Sequence, residues 1–312
     1  MRILTRIVLL LAFSLILAMP GRPGIARLAL LGDVMLGRAV AEAHAGGGWE
    51  EALEPIATHL ASADLALANL ESPICKRLEK ASYDLRASPS GLAALTAAGI
   101  DLVSIENNHS LDCGPQGKLE TISALEMVGI EPVETLPIFR QVNGLRLAFL
   151  AFSDVPDPLD AETACQSIRQ ARQTGAIVVV SIHWGVEYQR YPSPRQRELA
   201  QSFSAAGAAL VWGHHSHVIQ PAEQQNSKEY TSPTLIAYSL GNALFDQGAP
   251  PDTSTGALLL VTLSPTGVKS VQAVPFEIDP HRGKLLNASH EVAERAFTRL
   301  NLNIIENLTV KE

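Results

Sequence analysis

One pattern constrains this chain more than any other. Apolar, β-like runs stop abruptly at residues able to bind metal or move protons. RLALLGD stops at Asp33, DLALANLE at Asn69 and Glu71, and IDLVSIENNH at Asn107, Asn108 and His109. AIVVVSIHWG stops near His183, AALVWGHHSH at His214, His215 and His217, and TLIAYSLGN at Asn242. Runs this continuous suit strands buried on both faces. With 46% hydrophobic and 18% charged residues, the chain has material for a large core.

Helical stretches lie between the runs. Ser88-Pro89 opens one that Gly99 closes, and Gly117 to Gly129 bracket another. Residues 158–175 form a third, ending at Gly175, and Ser193-Pro194 opens a fourth that closes at Gly207. Ser-Pro is a standard helix start and glycine a standard stop. Strands alternating with helices imply an α/β domain with a parallel or mixed sheet. Residues 256–264 and 268–278 read as a late antiparallel hairpin. In open α/β sheets, sites form at the carboxyl ends of strands. The repeated polar endings therefore predict one shared site.

The N-terminal segment, residues 1–26, reads as an export signal or N-terminal anchor. Arg2 and Arg6 precede an uncharged, almost wholly apolar stretch at 7–19, short for a membrane span. The globular domain is expected over 27–284, with a peripheral helix or tail over 285–312. Lys+Arg 24 against Asp+Glu 32 gives a formal charge of −8. That excludes a general nucleic-acid binder, and an anionic substrate would need local positive charge from a metal or arginines. Arg190, Arg195 and Arg197 are either such a clamp or a solvated helix start. Cys75, Cys113 and Cys165 allow at most one bridge, and three unbonded side chains are the expectation.

Carboxylate, amide oxygen and imidazole together suit Zn, Mn or Fe(II). His215 and His217, one residue apart in an extended loop, would face the same ion or two adjacent ions, and His214 would point away into a supporting hydrogen bond. Two ions about 4 Å apart clamp a phosphoryl or carbonyl group and activate water near neutral pH. Each residue also has an ordinary alternative. Asp33 after glycine suits a turn or helix cap, Glu71 suits solvent, and His183 beside Trp184 suits packing. All of these strand ends carrying donors by accident is the weaker reading.

GDVMLGR (32–38), NLESPI (69–74), NNHSLDCG (107–114), HWGVEY (183–188), GHHSHVIQP (213–221) and YSLGN (238–242) resemble, in order, the signature of the CapA family. These are bacterial capsule-synthesis proteins linked to poly-γ-glutamate, and the resemblance runs from about residue 28 to 277. That family resembles the calcineurin-like metallophosphoesterases. The resemblance implies a four-layer α/β/β/α sandwich with mixed sheets, holding one or two divalent metal ions (Mn, Zn or Fe). It implies Asp33, Glu71, Asn108, His183, His215 and His217 as ligands and His109 as general acid, and Asp112 stands close enough in sequence to orient His109. An exported hydrolase or transferase acting on an amide or phosphoester is expected, with an anionic polymer as substrate and capsule-synthesis membrane proteins as partners. The alternative is a polymer-binding or assembly module without catalysis. Phosphoesterases usually begin with Asp-x-His, but here Val34 and Met35 follow Asp33, which weakens one metal position.

Overall fold

The structure is a computed structural model that describes residues 24–75 and 84–301. The greater part of the segment read as an export signal or anchor, residues 1–23, lies outside the described residues. Among the described residues no helix is long and apolar enough to cross a membrane.

The strands, in chain order, are β1 (Ala26–Val34), β2 (Leu65–Leu70), β3 (Leu102–Ser104), β4 (Glu131–Val133), β5 (Ile138–Val142), β6 (Leu145–Ser153) and β7 (Ile177–His183). They continue as β8 (Ala208–His214), β9 (Ile219–Gln225), β10 (Thr234–Leu240), β11 (Asn242–Leu244), β12 (Thr255–Ser264), β13 (Gly267–Asp279) and β14 (Lys284–Asn287). Helices α1 (Arg38–Ala43), α2 (Ala57–Ala61), α3 (Leu92–Ala97), α4 (Gly114–Met127), α5 (Ala161–Gln173), α6 (Pro194–Ala206) and α7 (His290–Leu300) connect or follow them.

Two mixed sheets result. The first runs β14-β13-β12-β1-β2-β3-β4, with β11 also paired to β1, and the second runs β5-β6-β7-β8-β10-β9. Within the first, β1 pairs in parallel with β2 and antiparallel with β12. The late hairpin expected at 256–278 is β12 and β13.

Alternation along the strands divides the apolar side chains among three cores, as a pleated strand buried on both faces requires. Leu28 and Leu30 of β1 and Leu67 of β2 face Leu147, Phe149 and Val179 of the second sheet. Their neighbours Ala29, Leu31, Ala66 and Ala68 face outward, onto the packing of Leu92, Leu95 and Leu125 from α3 and α4. On the far side of the second sheet, Ala148, Leu150, Val178 and Val180 pack on Ile168 of α5 and Leu199 and Phe203 of α6. Helix, sheet, sheet and helix are therefore stacked as the four-layer α/β/β/α sandwich expected from the resemblance. Each fully buried Leu in these layers contributes about 1.5–3 kcal/mol. After β14, the segment continues as α7, whose Ala296 and Leu300 are fully buried in the core between the sheets.

The helix signals hold in the main. Ser193 caps α6 in a reciprocal capping box with Gln196, and Gly207 ends it in the left-handed region. α4 begins at Gly114, three positions before the Gly117 expected from sequence. Gly117 is instead needed inside the helix, because a Cβ there would sit 2.1 Å from the Cβ of Cys113.

Candidate metal centre

The site forms where the two sheets meet at their strand ends. Gly32 makes the meeting possible, since a Cβ there would lie 1.8 Å from the carbonyl oxygen of Gly241. With no side chain at 32, β1 reaches the β10–β11 junction, and the Asp33 N–H donates to that carbonyl at 3.2 Å. Trp212 of the second sheet also donates to the Leu31 carbonyl of the first, at 2.9 Å. The Asp33 carboxylate is thereby fixed between the sheets. It accepts from the Asn69 amide at 2.7 Å and from the backbone N–H of His215 at 3.2 Å.

Glu71 follows β2 and is 1% exposed, yet neither carboxylate oxygen has a hydrogen-bond partner. Around its Oε1 stand Nε2 of His183 at 3.7 Å, Nε2 of His217 at 3.8 Å and Nε2 of His109 at 3.8 Å. These separations are too long for hydrogen bonds, but the atoms converge. Asn108 Oδ1, His183 Nε2 and His215 Nδ1 are also buried without partners. Orphaned buried polar atoms normally carry a penalty of about 1–3 kcal/mol each, so native folds retain few of them. Here those of Glu71, His183 and His215 gather in one place, and Asn108 borders the same cleft. Ligand atoms of Glu71, His183 and His215 lie within 4.8 Å of each other, as do those of Asp33, Glu71 and His217. This donor set of hard oxygens and imidazole nitrogens fits a divalent ion of the Mn, Fe or Zn kind.

The histidine loop departs from the extended geometry expected from sequence. His215 has φ 86° and His217 φ 57°, both left-handed and both rare for residues with a Cβ. The strain is held by surrounding bonds: Ser216 Oγ donates to the Val218 carbonyl, and the Ser216 carbonyl accepts from the Tyr188 N–H. Both rings still reach the cleft, with centroids 6.0 Å apart. His214, the last residue of β8, makes the supporting contacts. Its Nε2 is 3.1 Å from Ser181 Oγ and its Nδ1 is 3.6 Å from Asp33 Oδ1.

Asn242 sets the tautomer of His217. Its amide nitrogen donates to Gln247 Oε1 and to the Thr253 carbonyl, so its oxygen, 2.9 Å from His217 Nδ1, is the acceptor there. His217 Nδ1 must then carry the proton, which leaves the Nε2 lone pair aimed at Glu71. Asn107 organises the neighbouring loop, donating to the Leu70 carbonyl and accepting from the His109 N–H. Asn69, Asn107 and Asn242 appear in the sequence as strand endings, but nothing there marks them as the residues that orient the donors.

Burial dominates the electrostatics. It pushes the Asp33 carboxyl up to about 7, partly offset by the Asn69 and His215 hydrogen bonds. It pushes Glu71 well above the usual carboxylate range, and the Asp33 charge adds to that. Burial also holds His214 and His217 down at about 3 and His215 at about 4, and with the neighbouring rings it holds His183 well below the ordinary imidazole range. The imidazoles are therefore neutral across the physiological range, as ligands must be.

His109 Nδ1 lies 2.8 Å from Asp112 Oδ2. A carboxylate only accepts, so Nδ1 carries the proton and Nε2 faces Glu71. The expectation of three unbonded cysteines is corrected: Cys75 and Cys113 form a disulfide, and Cys165 alone is free and buried. The bridge ties the loop after Glu71 to the loop that carries Asn108 and His109. The three arginines near α6 are not a clamp, because Arg190 pairs with Asp252, Arg195 with Asp154 and Arg197 with Glu223. Met35 is fully buried in the outer core of the first sheet, with its sulfur accepting from the Gly37 N–H at 3.0 Å. It contributes nothing to the cleft. That cleft, of about 510 Å³, is bordered by Arg38, Asn108, His109, Glu187, Tyr188 and Gln247.

The fold and donor set define a class: an α/β/β/α sandwich with a buried carboxylate–imidazole cluster suited to divalent metal. Residues 27–247 match the family described as "Bacterial capsule synthesis protein PGA_cap". The chain belongs to that family. It is 31% identical over 274 residues to the PGA biosynthesis protein CapA of Bacillus subtilis (strain 168), covering 80% of this chain and 70% of that one. It is 32% identical over 281 residues to the capsule biosynthesis protein CapA of Bacillus anthracis, covering 80% of this chain and 66% of that one. A probable polyglutamine synthesis accessory protein of Mycobacterium tuberculosis is 28% identical over 233 residues, covering 64% of this chain and 59% of that one. The crystal structure of a hypothetical protein from Thermus thermophilus aligns with a TM-score of 0.49 at 17% identity, over 80% of this chain and 99% of that one.

Proposed function

We propose that this chain is an exported accessory protein of poly-γ-glutamate capsule synthesis, with a divalent-metal centre that hydrolyses or transfers an amide or phosphoester. The relatives' names support the capsule part of the reading. The observation that carries the chemistry is Glu71, a fully buried carboxylate without hydrogen-bond partners, surrounded by imidazole nitrogens at 3.7–3.8 Å. Asp33, Glu71 and His217 would hold one ion, and Glu71, Asn108, His183 and His215 a second. When bound, such ions polarise a carbonyl or phosphoryl oxygen and lower the pKa of water. His109 does the proton work. Asp112 holds its Nδ1–H, and when the ring also carries a proton on Nε2, that Nε2–H is given to the leaving nitrogen or oxygen, which returns the ring to its neutral Nδ1–H form. Arg38 borders the cleft, with its guanidinium paired to Asp246, so charge for an acidic polymer would have to come chiefly from bound metal.

The purified protein, supplied with Mn2+ or Zn2+, tests the reading against a panel of phosphoesters and γ-glutamyl amides. Turnover that His109→Ala abolishes supports it, and a metal-loaded parent inert to the whole panel counts against the enzyme. The burial of Met35 away from the cleft favours a second reading, a polymer-binding or assembly module that keeps the metal for structure or recognition. Saturable binding of γ-glutamate oligomers without turnover separates the two. Export is tested by fusing residues 1–26 to a reporter active only outside the cytoplasm, and a silent reporter contradicts it.

A further inference from the structure

Met35, turned into the outer core, leaves the ion of Asp33, Glu71 and His217 short of a donor from the first sheet. A replacement comes from the second sheet. The loop after β7 carries Glu187, whose carboxylate lies within 4.8 Å of ligand nitrogens of both His215 and His217. Glu187 also borders the cleft beside Glu71, and its charge is one of those that raise the Glu71 carboxyl.

The position of Glu187 is built by the backbone. Gly185 turns the loop with φ 88°, and a Cβ there would come within 2.6 Å of the Gln196 side chain. Tyr188 takes φ 63°, a strained value for a side-chain-bearing residue, and its N–H donates to the Ser216 carbonyl at 2.8 Å. Gln247 donates to the Tyr188 hydroxyl at 3.3 Å. The two left-handed residues of this loop and the two of the histidine loop are thus joined by a backbone bond, with Glu187 between them on the open side of the cleft.

We propose that Glu187 is a metal ligand. It stands with His215 and His217 on the second sheet and, through the shared His217, would add to the ion of Asp33, Glu71 and His217 the donor that Met35 does not offer. The proposal rests on the reading that the cleft binds metal. A carboxylate in place of an imidazole makes this ion's surroundings richer in oxygen, which favours Mn2+ over softer ions.

The test is a Mn2+ titration of the metal-stripped, full-length protein, followed by electron paramagnetic resonance and by metal analysis after desalting. Parent, Glu187→Gln, Glu187→Ala and His183→Ala are compared, with a thermal melt of each metal-free variant to show that it is folded. Glu187 is exposed, so its variants keep the parent's melt. Replacement of mere supporting residues weakens metal binding by about 10–100-fold, and loss of a direct ligand should weaken one ion by at least about 100-fold. Expected is loss of one ion in both Glu187 variants, with the ion of Glu71, His183 and His215 retained, and loss of the other ion in His183→Ala. Unchanged affinity in Glu187→Gln and Glu187→Ala overturns the proposal while leaving the metal centre intact. A parent that binds no Mn2+ or Zn2+ overturns both.

Discussion

Asp33→Asn should stabilise the protein without metal and destabilise it, relative to the parent, with metal. The Asp33 carboxyl is fully buried and pushed from 3.8 up to about 7, mainly by burial. The folded state therefore holds that proton more tightly than the unfolded chain does. On account of this group, metal-free stability is complete below 3.8 and declines as pH rises through about 7. At about 1.4 kcal/mol per pH unit, the ionised carboxylate destabilises the metal-free fold by about 4 kcal/mol above neutrality. Asparagine keeps the shape and removes the charge. It can satisfy one of the two donors now served, the Asn69 amide or the His215 N–H, and leaves the other unpaired. That loss costs about 1–3 kcal/mol, so a net gain of about 1–3 kcal/mol remains. In EDTA at about pH 8, calorimetry should show Tm rising by roughly 2–10 °C for a domain of this size. With Mn2+ at about a thousand times its Kd, the parent gains about 4.1 kcal/mol and the order reverses. The buried histidines are neutral at that pH in both proteins and drop out of the comparison. If Asp33→Asn melts below the parent in EDTA at that pH, the carboxylate is not a strained group awaiting metal.

Three further outcomes follow from the geometry. His109→Asn should leave metal content at the parent level and lower turnover of any accepted substrate by about a hundredfold to ten-thousandfold, read by metal analysis and kinetics side by side. Gly32→Ala places a Cβ against the Gly241 carbonyl and should reduce stability by about 3 kcal/mol or more, seen as a lower urea midpoint. Replacing Cys75 and Cys113 by serine opens a bridge between residues 38 apart and should lower stability by about 2–4 kcal/mol, with the parent falling to the same level in reductant.

The strand-end donors were legible because continuous apolar runs and polar stops are one-dimensional signals, and open α/β sheets gather strand ends in one place. Asp33, Glu71, His183, His215 and His217 gather for that reason, and Asn108 borders the same cleft. What the sequence hid depends on conformation or on long-range pairing. A left-handed φ at His215 or His217 cannot be read from a residue that seldom adopts it. The Cys75–Cys113 bridge depends on β2 and β3 bringing two loops together. Glu187 looks like a solvated acid until the Tyr188–Ser216 bond places it beside the histidines. Asn242 reads only as one more polar strand ending, although its two donated bonds are what set the protonation of His217.

Metal analysis tests most directly whether the orphaned carboxylate and imidazoles are a metal site. The protein is purified without chelator, desalted, and its Mn, Fe and Zn content measured beside that of His217→Ala. At least one tightly held divalent ion per chain is expected in the parent, with a clear loss in the variant. A folded parent that holds no metal after incubation with Mn2+ or Zn2+, or a His217→Ala protein that keeps the parent's full complement, would contradict the metal reading of the cleft.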